Sequence, residues 1–183
     1  MLTSHLLRGE TVRLTAVSET DLPTLAGWWS DADFLRLFDS VPAYPQTTTQ
    51  LAERIKGGQD GRNNFVFGIR PLAENMLLGL LELDGVMWTH GTTYVSIAIG
   101  DAARRGQGIG YEAMRLALRY AFAELNLHRV CLTVFSYNTP AIKLYEKLGF
   151  VQEGIYRQHV QRDGQRYDMI LYGLLRPEWQ KRP

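Results

Sequence analysis

Cysteine is nearly missing from this sequence: Cys131 is the only one in 183 residues. A lone thiol excludes a disulfide framework within the chain. It sits in the apolar run Val130 to Phe135, where a core thiol is expected, because free cysteine is among the most buried residue types. An excess of charge of either sign is missing too, since 20 Lys and Arg face 19 Asp and Glu for a formal net charge of +1. That balance removes any global drive toward nucleic acid or an anionic membrane, so neither is expected as a partner. No apolar run reaches the roughly 18 residues of a membrane-spanning helix. Met1-Leu2-Thr3-Ser4-His5 lacks a basic region followed by a long apolar core, so no signal peptide is read and a cytoplasmic location is expected. His5, His90, His128 and His159 are scattered, and no His/Cys/carboxylate spacing suggests a metal site. Repeats, low-complexity tracts and linkers are also absent.

What remains is a composition of 45% hydrophobic and 21% charged residues, ordinary for a globular protein. The length suits one domain, residues 1–183, with room for a real core. Residues 8–16 alternate as a half-buried strand, and Leu22, Leu25, Ala26 and Trp29 mark a short helix. Residues 30–46 read as irregular, with Asp31, Asp33, Asp39, Pro42 and Pro45. A second helix starts near Thr47, where Gln50 completes a capping box, and ends at Gly57-Gly58 before the turn Gln59 to Asn63. Strands over Asn64 to Arg70, Met76 to Asp84 and Thr92 to Ile99 read as an antiparallel meander. A helix from Tyr111 to Leu125 follows, with Glu112, Arg115 and Arg119 read as a solvated face. Arg129 to Phe135 reads as a strand covered on both faces and parallel to the one before the helix, a βαβ unit. Thr139 and Pro140 open another helix, Gly149 closes it, and Asp163-Gly164 is a hairpin turn signal.

The stretch Arg104-Arg105-Gly106-Gln107-Gly108-Ile109-Gly110 stands between a strand and a helix. There several backbone N–H groups converge at the positive end of a helix dipole, and glycines let a large anion approach. The chemistry implied is phosphate binding. The dinucleotide fingerprint fails, because position 111 is Tyr, and no Gly-Lys-Ser/Thr of a Walker A loop is present.

The R-x-x-G-x-G from Arg105 to Gly110 resembles the pyrophosphate loop of the GNAT superfamily of acetyl-CoA-dependent N-acetyltransferases. Asn138-Thr-Pro-Ala-Ile-Lys-Leu-Tyr-Glu-Lys-Leu-Gly-Phe150 resembles the family's second motif. The tail, Glu153-Gly154 through Asp163-Gly164 to Tyr172 and Glu178-Trp179, resembles the branch of ribosomal-protein N-terminal alanine and spermidine acetyltransferases. The resemblance implies an α/β (α+β) fold: a mixed, mainly antiparallel sheet of six to seven strands flanked by about four helices, with a central βαβ coenzyme-binding unit. It implies acetyl-CoA as co-substrate, bound by Arg105, Gly106, Gln107, Gly108, Ile109 and Gly110 at the pyrophosphate, by the main chain of Ile97, Ala98 and Ile99 along the pantetheine arm, and by Asn138 and Tyr145.

On that resemblance the reaction moves an acetyl group from sulfur to a primary amine of a small molecule or a protein N-terminus. A catalytically silent coenzyme-A-binding module is the competing reading, against which an intact Tyr145 speaks. Tyr145 is the expected general acid, since a phenol of ordinary pKa near 10 can protonate a thiolate whose conjugate acid lies near 8.5. The strand before the turn carries Tyr94, Val95 and Ser96 but no carboxylate, a departure from family members with a Glu base there. Glu82 is the first alternative base, with His90, Asp84 and a water chain also open. In the family pattern the helix pair near the N-terminus walls the acceptor site. Asp31, Asp33 and Asp39 there would suit a cationic acceptor or be solvated loop carboxylates. The acceptor's identity and the oligomeric state, homodimer included, stay open.

Overall fold

The computed structural model describes residues 5–57 and 61–181. The predicted helix stop at Gly58, the turn residues Gln59 and Asp60, and Met1 to Ser4 lie outside the described residues. The strands are β1 (Val12–Thr15), β2 (Phe65–Pro71), β3 (Gly79–Met87), β4 (Thr92–Ile99), β5 (Arg129–Phe135), β6 (Val151–Arg162) and β7 (Gln165–Leu175). They form one sheet of order β1-β2-β3-β4-β5-β7-β6, antiparallel throughout except for β4 against β5.

Among the described residues there are six α-helices: α1 (Leu22–Trp29), α2 (Ala32–Phe38), α3 (Thr48–Gly57), α4 (Ile109–Arg119), α5 (Thr139–Leu148) and α6 (Arg176–Gln180). Two are more than the sequence reading allowed. α2 lies inside the stretch expected to be irregular, because Asp31 is its N-cap, accepting from the N–H groups of Asp33 and Phe34. α6 is a single short turn. Glu178 accepts from Leu175 N–H at 2.8 Å and Pro177 occupies a position where no donor is needed.

The two periods of the sheet sort the core. Ile69, Leu81, Leu83 and Leu132 point to one face, where α4 and α5 pack through Met114, Leu118 and Leu148. Val66 and Leu80 point to the other, against Leu25 and Trp29 of α1, Phe34 of α2 and Leu51 of α3. Trp28 lies directly over the backbone of Gly100, where a Cβ would fall 1.8 Å from its ring. That contact seats α1 on the end of β4.

Charges expected to be solvated instead fasten the N-terminal segment. Glu112 of α4 accepts from Glu10 N–H and from Thr11, and Arg119 donates to the carbonyls of His5 and Leu6. Cys131 is partly exposed rather than core, with Arg129 Nε donating to its sulfur at 3.0 Å. Thr133 of the same strand is exposed, so β5 is not covered on both faces.

α1 is tied to the sheet by a buried ion pair. Arg70 Nη2 in β2 donates to both carboxylate oxygens of Asp21, at 2.8 and 2.7 Å, and both residues are buried. Burial alone would raise the Asp21 carboxyl, but donors from Arg70 and Ser18 outweigh it and hold the group below its ordinary range. Removing one member of such a pair strands the other charge. Asp21→Ala is expected to lose about 3–5 kcal/mol in a urea titration. The native carboxyl protonates at lower pH than the unfolded one, so its contribution is complete above the unfolded value near 3.9 and fades as acid protonates the folded state. The variant's stability should therefore fall less steeply than wild type between about pH 5 and pH 2.

Candidate active site

The site begins where a ladder stops. β4 and β5 pair over Thr92, Thr93 and Tyr94 against Arg129, Val130 and Cys131, and then diverge. Beyond that point β4 stays paired with β3 as far as Ile99, and β5 with β7 as far as Phe135. Each strand therefore has one free edge facing a gap. The Ala98 carbonyl points at Gly79 of β3. By alternation, the main-chain groups of Ile97 and Ile99 face the gap while those of Ala98 are used by β3. Of Ile97, Ala98 and Ile99, the first and last present their backbone to the gap, where the Ile99 carbonyl accepts from Arg105 Nε.

The glycine-rich turn lies at the end of β4. Gly106 and Gly108 have φ of 76° and 85°, and added Cβ atoms would meet nothing within 4 Å. Only glycine adopts this left-handed backbone without strain, and the open space leaves room for a bulky anion. Gly108 is the N-cap of α4, so the next amides, at Ile109, Gly110 and Tyr111, have no partner within the helix. Arg105 Nε donates to the Ile99 carbonyl at 3.1 Å, and Gln107 Nε2 donates to Ala103 at 2.8 Å. These bonds hold the turn against the strand end. Arg105 to Gly110 thus form one open turn leading into the first turn of α4.

Between β4 and β5 runs a cleft of about 370 Å³. It passes through the sheet, since its lining includes Tyr145 and Asn138 from α5 on one face and Glu82 from β3 on the other. Asn138 caps α5, accepting from Ala141 N–H, a role the sequence reading gave to Thr139. Its Nδ2 donates across the cleft to the Leu37 carbonyl at 3.2 Å. The Tyr145 ring is buried edge-on against Phe150. Burial pushes its hydroxyl up to about 12, so the phenol stays protonated at any ordinary pH.

Glu82 sits opposite Ser96 of β4 and faces α1 to α3, not bulk solvent. Burial raises its carboxyl, Asp84 and Asp39 raise it further, and Arg54 and Ser96 pull the other way without cancelling the effect. Asp84 lines the cleft mouth as an exposed group, whereas His90 lies in the β3–β4 turn away from it. The loop aspartates do not act together. Asp31 caps α2, Asp33 is exposed, and Asp39 is bonded to Arg54 at 2.9 Å.

The sequence reading missed the residues that hold α2 over the cleft. Arg162 of β6 donates to the carbonyls of Asp39 and Ser40, and Tyr137 donates to the Arg36 carbonyl. Arg36 pairs with Asp163 through two bonds of 2.9 Å. Only the hairpin turn signal at Asp163-Gly164 pointed to this region, and it gave no partner.

The splayed parallel pair, the glycine cup and the buried tyrosine can be compared with known proteins. The model of the acetyltransferase (GNAT) domain matches residues 11–151. The chain belongs to the GNAT acetyltransferases. It is 31% identical over 172 residues to the SPbeta prophage-derived uncharacterized N-acetyltransferase YokL of Bacillus subtilis, covering 94% of each chain. It is 28% identical over 116 residues to the ribosomal protein uS5-alanine N-acetyltransferase of Escherichia coli, covering 63% of this chain and 59% of that one. The spermidine N-acetyltransferase of Vibrio cholerae, solved with CoA and spermine, superposes with a TM-score of 0.84 at 25% identity, covering 93% of this chain and 98% of that one. The expected branch and the mainly antiparallel GNAT sheet are thus both found, with seven strands. As a GNAT enzyme the chain is an N-acetyltransferase that uses acetyl-CoA as co-substrate. Among the described residues no helix is long and apolar enough to cross a membrane.

The raised Glu82 carboxyl has a consequence for stability. The unfolded chain ionises this group first as pH rises, so folding loses free energy between the ordinary glutamate value and the raised one, and the penalty is complete above it. Glu82→Gln removes the penalty. Its Tm should exceed wild type at neutral pH, with the difference shrinking toward pH 4, by differential scanning fluorimetry.

Proposed function

We propose that the protein acetylates a primary amine, of a small molecule or a protein N-terminus, by direct attack within a ternary complex. The observation that carries this reading is the single cleft that Glu82 and Tyr145 line from opposite faces of the sheet, with the open edge of β4 between them. The cup at Arg105 to Gly110 takes the pyrophosphate through its free amides, assisted by the Arg105 charge. The pantetheine amides pair with Ile97 and Ile99 as an added strand. This directs the thioester toward the cleft, where Tyr145 and Asn138 flank it.

Glu82 accepts a proton from the acceptor ammonium, directly or through one water, and the neutral amine attacks the thioester carbonyl. A backbone N–H of β4 near Ile99 meets the developing oxyanion. As the intermediate collapses, the attacking nitrogen gives its second proton to solvent water, the C–S bond breaks, and the thiolate takes its proton from Tyr145. Solvent then reprotonates the tyrosine. The upward shifts bear on both tasks: Tyr145 keeps its proton until the thiolate forms beside it, and Glu82 is a stronger base than an ordinary carboxylate.

Tyr145→Phe keeps the ring and removes the proton. It is expected to lower kcat roughly 100-fold with the KM for acetyl-CoA little changed, measured by thiol release. The kcat/KM of wild type should rise with pH through a step above the usual carboxylate range, and Glu82→Gln should lose that step. Gly108→Val places a branched side chain in a left-handed backbone at the cup. Calorimetry should show acetyl-CoA binding weakened at least roughly tenfold, given about 1–3 kcal/mol of strain at such a residue. Full activity in Tyr145→Phe would assign the proton to another group.

A further inference from the structure

Behind Glu82 lies a second cavity that the transfer chemistry does not use. Its volume is about 200 Å³, and it sits between β2–β3 and the helices α1 and α3. Leu25, Trp29, Leu51, Ile55, Val66 and Leu80 supply its apolar lining. Glu82, Asp84 and Arg54 line both this cavity and the cleft, so the two spaces meet at the proposed base. Arg54 is fixed at that junction, bonded to Asp39 and lying over the Trp29 ring at 5.6 Å from its centroid.

The chemistry of the lining decides what can enter. A polyamine carries further ammonium groups along its chain, and each needs an anionic or polar partner once buried. Besides Glu82, Asp84, Arg54 and Asn64 the lining is aliphatic side chains and a tryptophan; Asn64 accepts from Gly85 N–H, and the nearby Asp39 is already matched by Arg54. An apolar group loses nothing there and gains by leaving water. Its size is bounded as well, since benzene fits an engineered apolar cavity of about 150 Å³.

We propose that this cavity is the substituent subsite of the acceptor, so that the preferred substrates are primary amines bearing a branched aliphatic or phenyl-sized group within one or two carbons of the nitrogen. The proposal rests on the transfer reading above, with Glu82 at the acceptor nitrogen. With the amine at Glu82, the substituent fills the space between α1 and α3, and the thioester approaches from the other side of the sheet. A free arylalkylamine and a peptide beginning with a large apolar residue present the same chemistry.

The test compares kcat/KM for phenethylamine, isoamylamine, ethylamine and spermidine, and for short peptides beginning with Phe or Gly. Phenethylamine over ethylamine, or the Phe peptide over the Gly peptide, should differ at least roughly tenfold, and which pair shows the gap identifies the source. Ile55→Trp fills the cavity from a partly exposed position, with Ile55→Phe as the milder substitute should its Tm fall. In a folded variant the preference should shrink to within about threefold. Equal rates across the small amines and across the peptides, a preference for spermidine, or a gap that survives in a folded Ile55→Trp protein would overturn the subsite while leaving acetyl transfer intact. Acetyl-CoA binding without turnover on any amine would overturn the transfer reading and the subsite with it.

Discussion

The parallel ladder between β4 and β5 is three pairs long, and the rest of the molecule is arranged around its early end. Had the two strands stayed together, the sheet would be continuous and closed to ligands. Each instead keeps its other neighbour for its whole length, so the divergence leaves few backbone groups without partners. What it leaves open is one strand edge on each side of a gap. A chain-like ligand with amide groups can occupy that edge as a strand would. The glycine-rich turn is placed at one end of the gap because it closes the short connection from the end of β4 at Ile99 to the start of α4 at Ile109.

Burial acts on Tyr145 and Glu82, two of the titratable groups lining the cleft, in the same direction and with different chemical results. It raises the phenol of Tyr145 and the carboxyl of Glu82 alike, because both lose hydration in their charged forms. For the tyrosine this secures the protonated state. For the glutamate it disfavours the ionised state and makes that state a stronger base when formed. The two sit on opposite faces of the sheet and line the same cleft.

Features set by neighbours in sequence were legible. The cup at Arg105 to Gly110, the Thr47–Gln50 capping box and the turn at Asp163-Gly164 all depend on residues within a few positions, and each is present. The α5 spacing correctly put Asn138 and Tyr145 on one side of a helix, since seven residues is nearly two turns. α2 was hidden because it has only seven residues among aspartates that read as loop formers, and one of those, Asp31, is its cap. The fastening role of Glu112 and Arg119 was hidden for another reason: their partners lie about a hundred residues away. Glu82 shows the same limit. Alternation tells that it opposes Leu81 and Leu83, but not that helices cover its face.

The contact between Arg36 and Asp163 joins residues 127 positions apart. On a ribosome the β4–α4–β5 unit can therefore assemble while the strand bearing Arg162 and Asp163 is still unmade, because the chain is synthesised from its N-terminus. The bridge over the cleft is a late event in the life of each molecule. Closing so long a loop also takes more entropy than any local turn. A nascent chain thus acquires its glycine-rich turn before it acquires the contacts that hold α2 over the cleft.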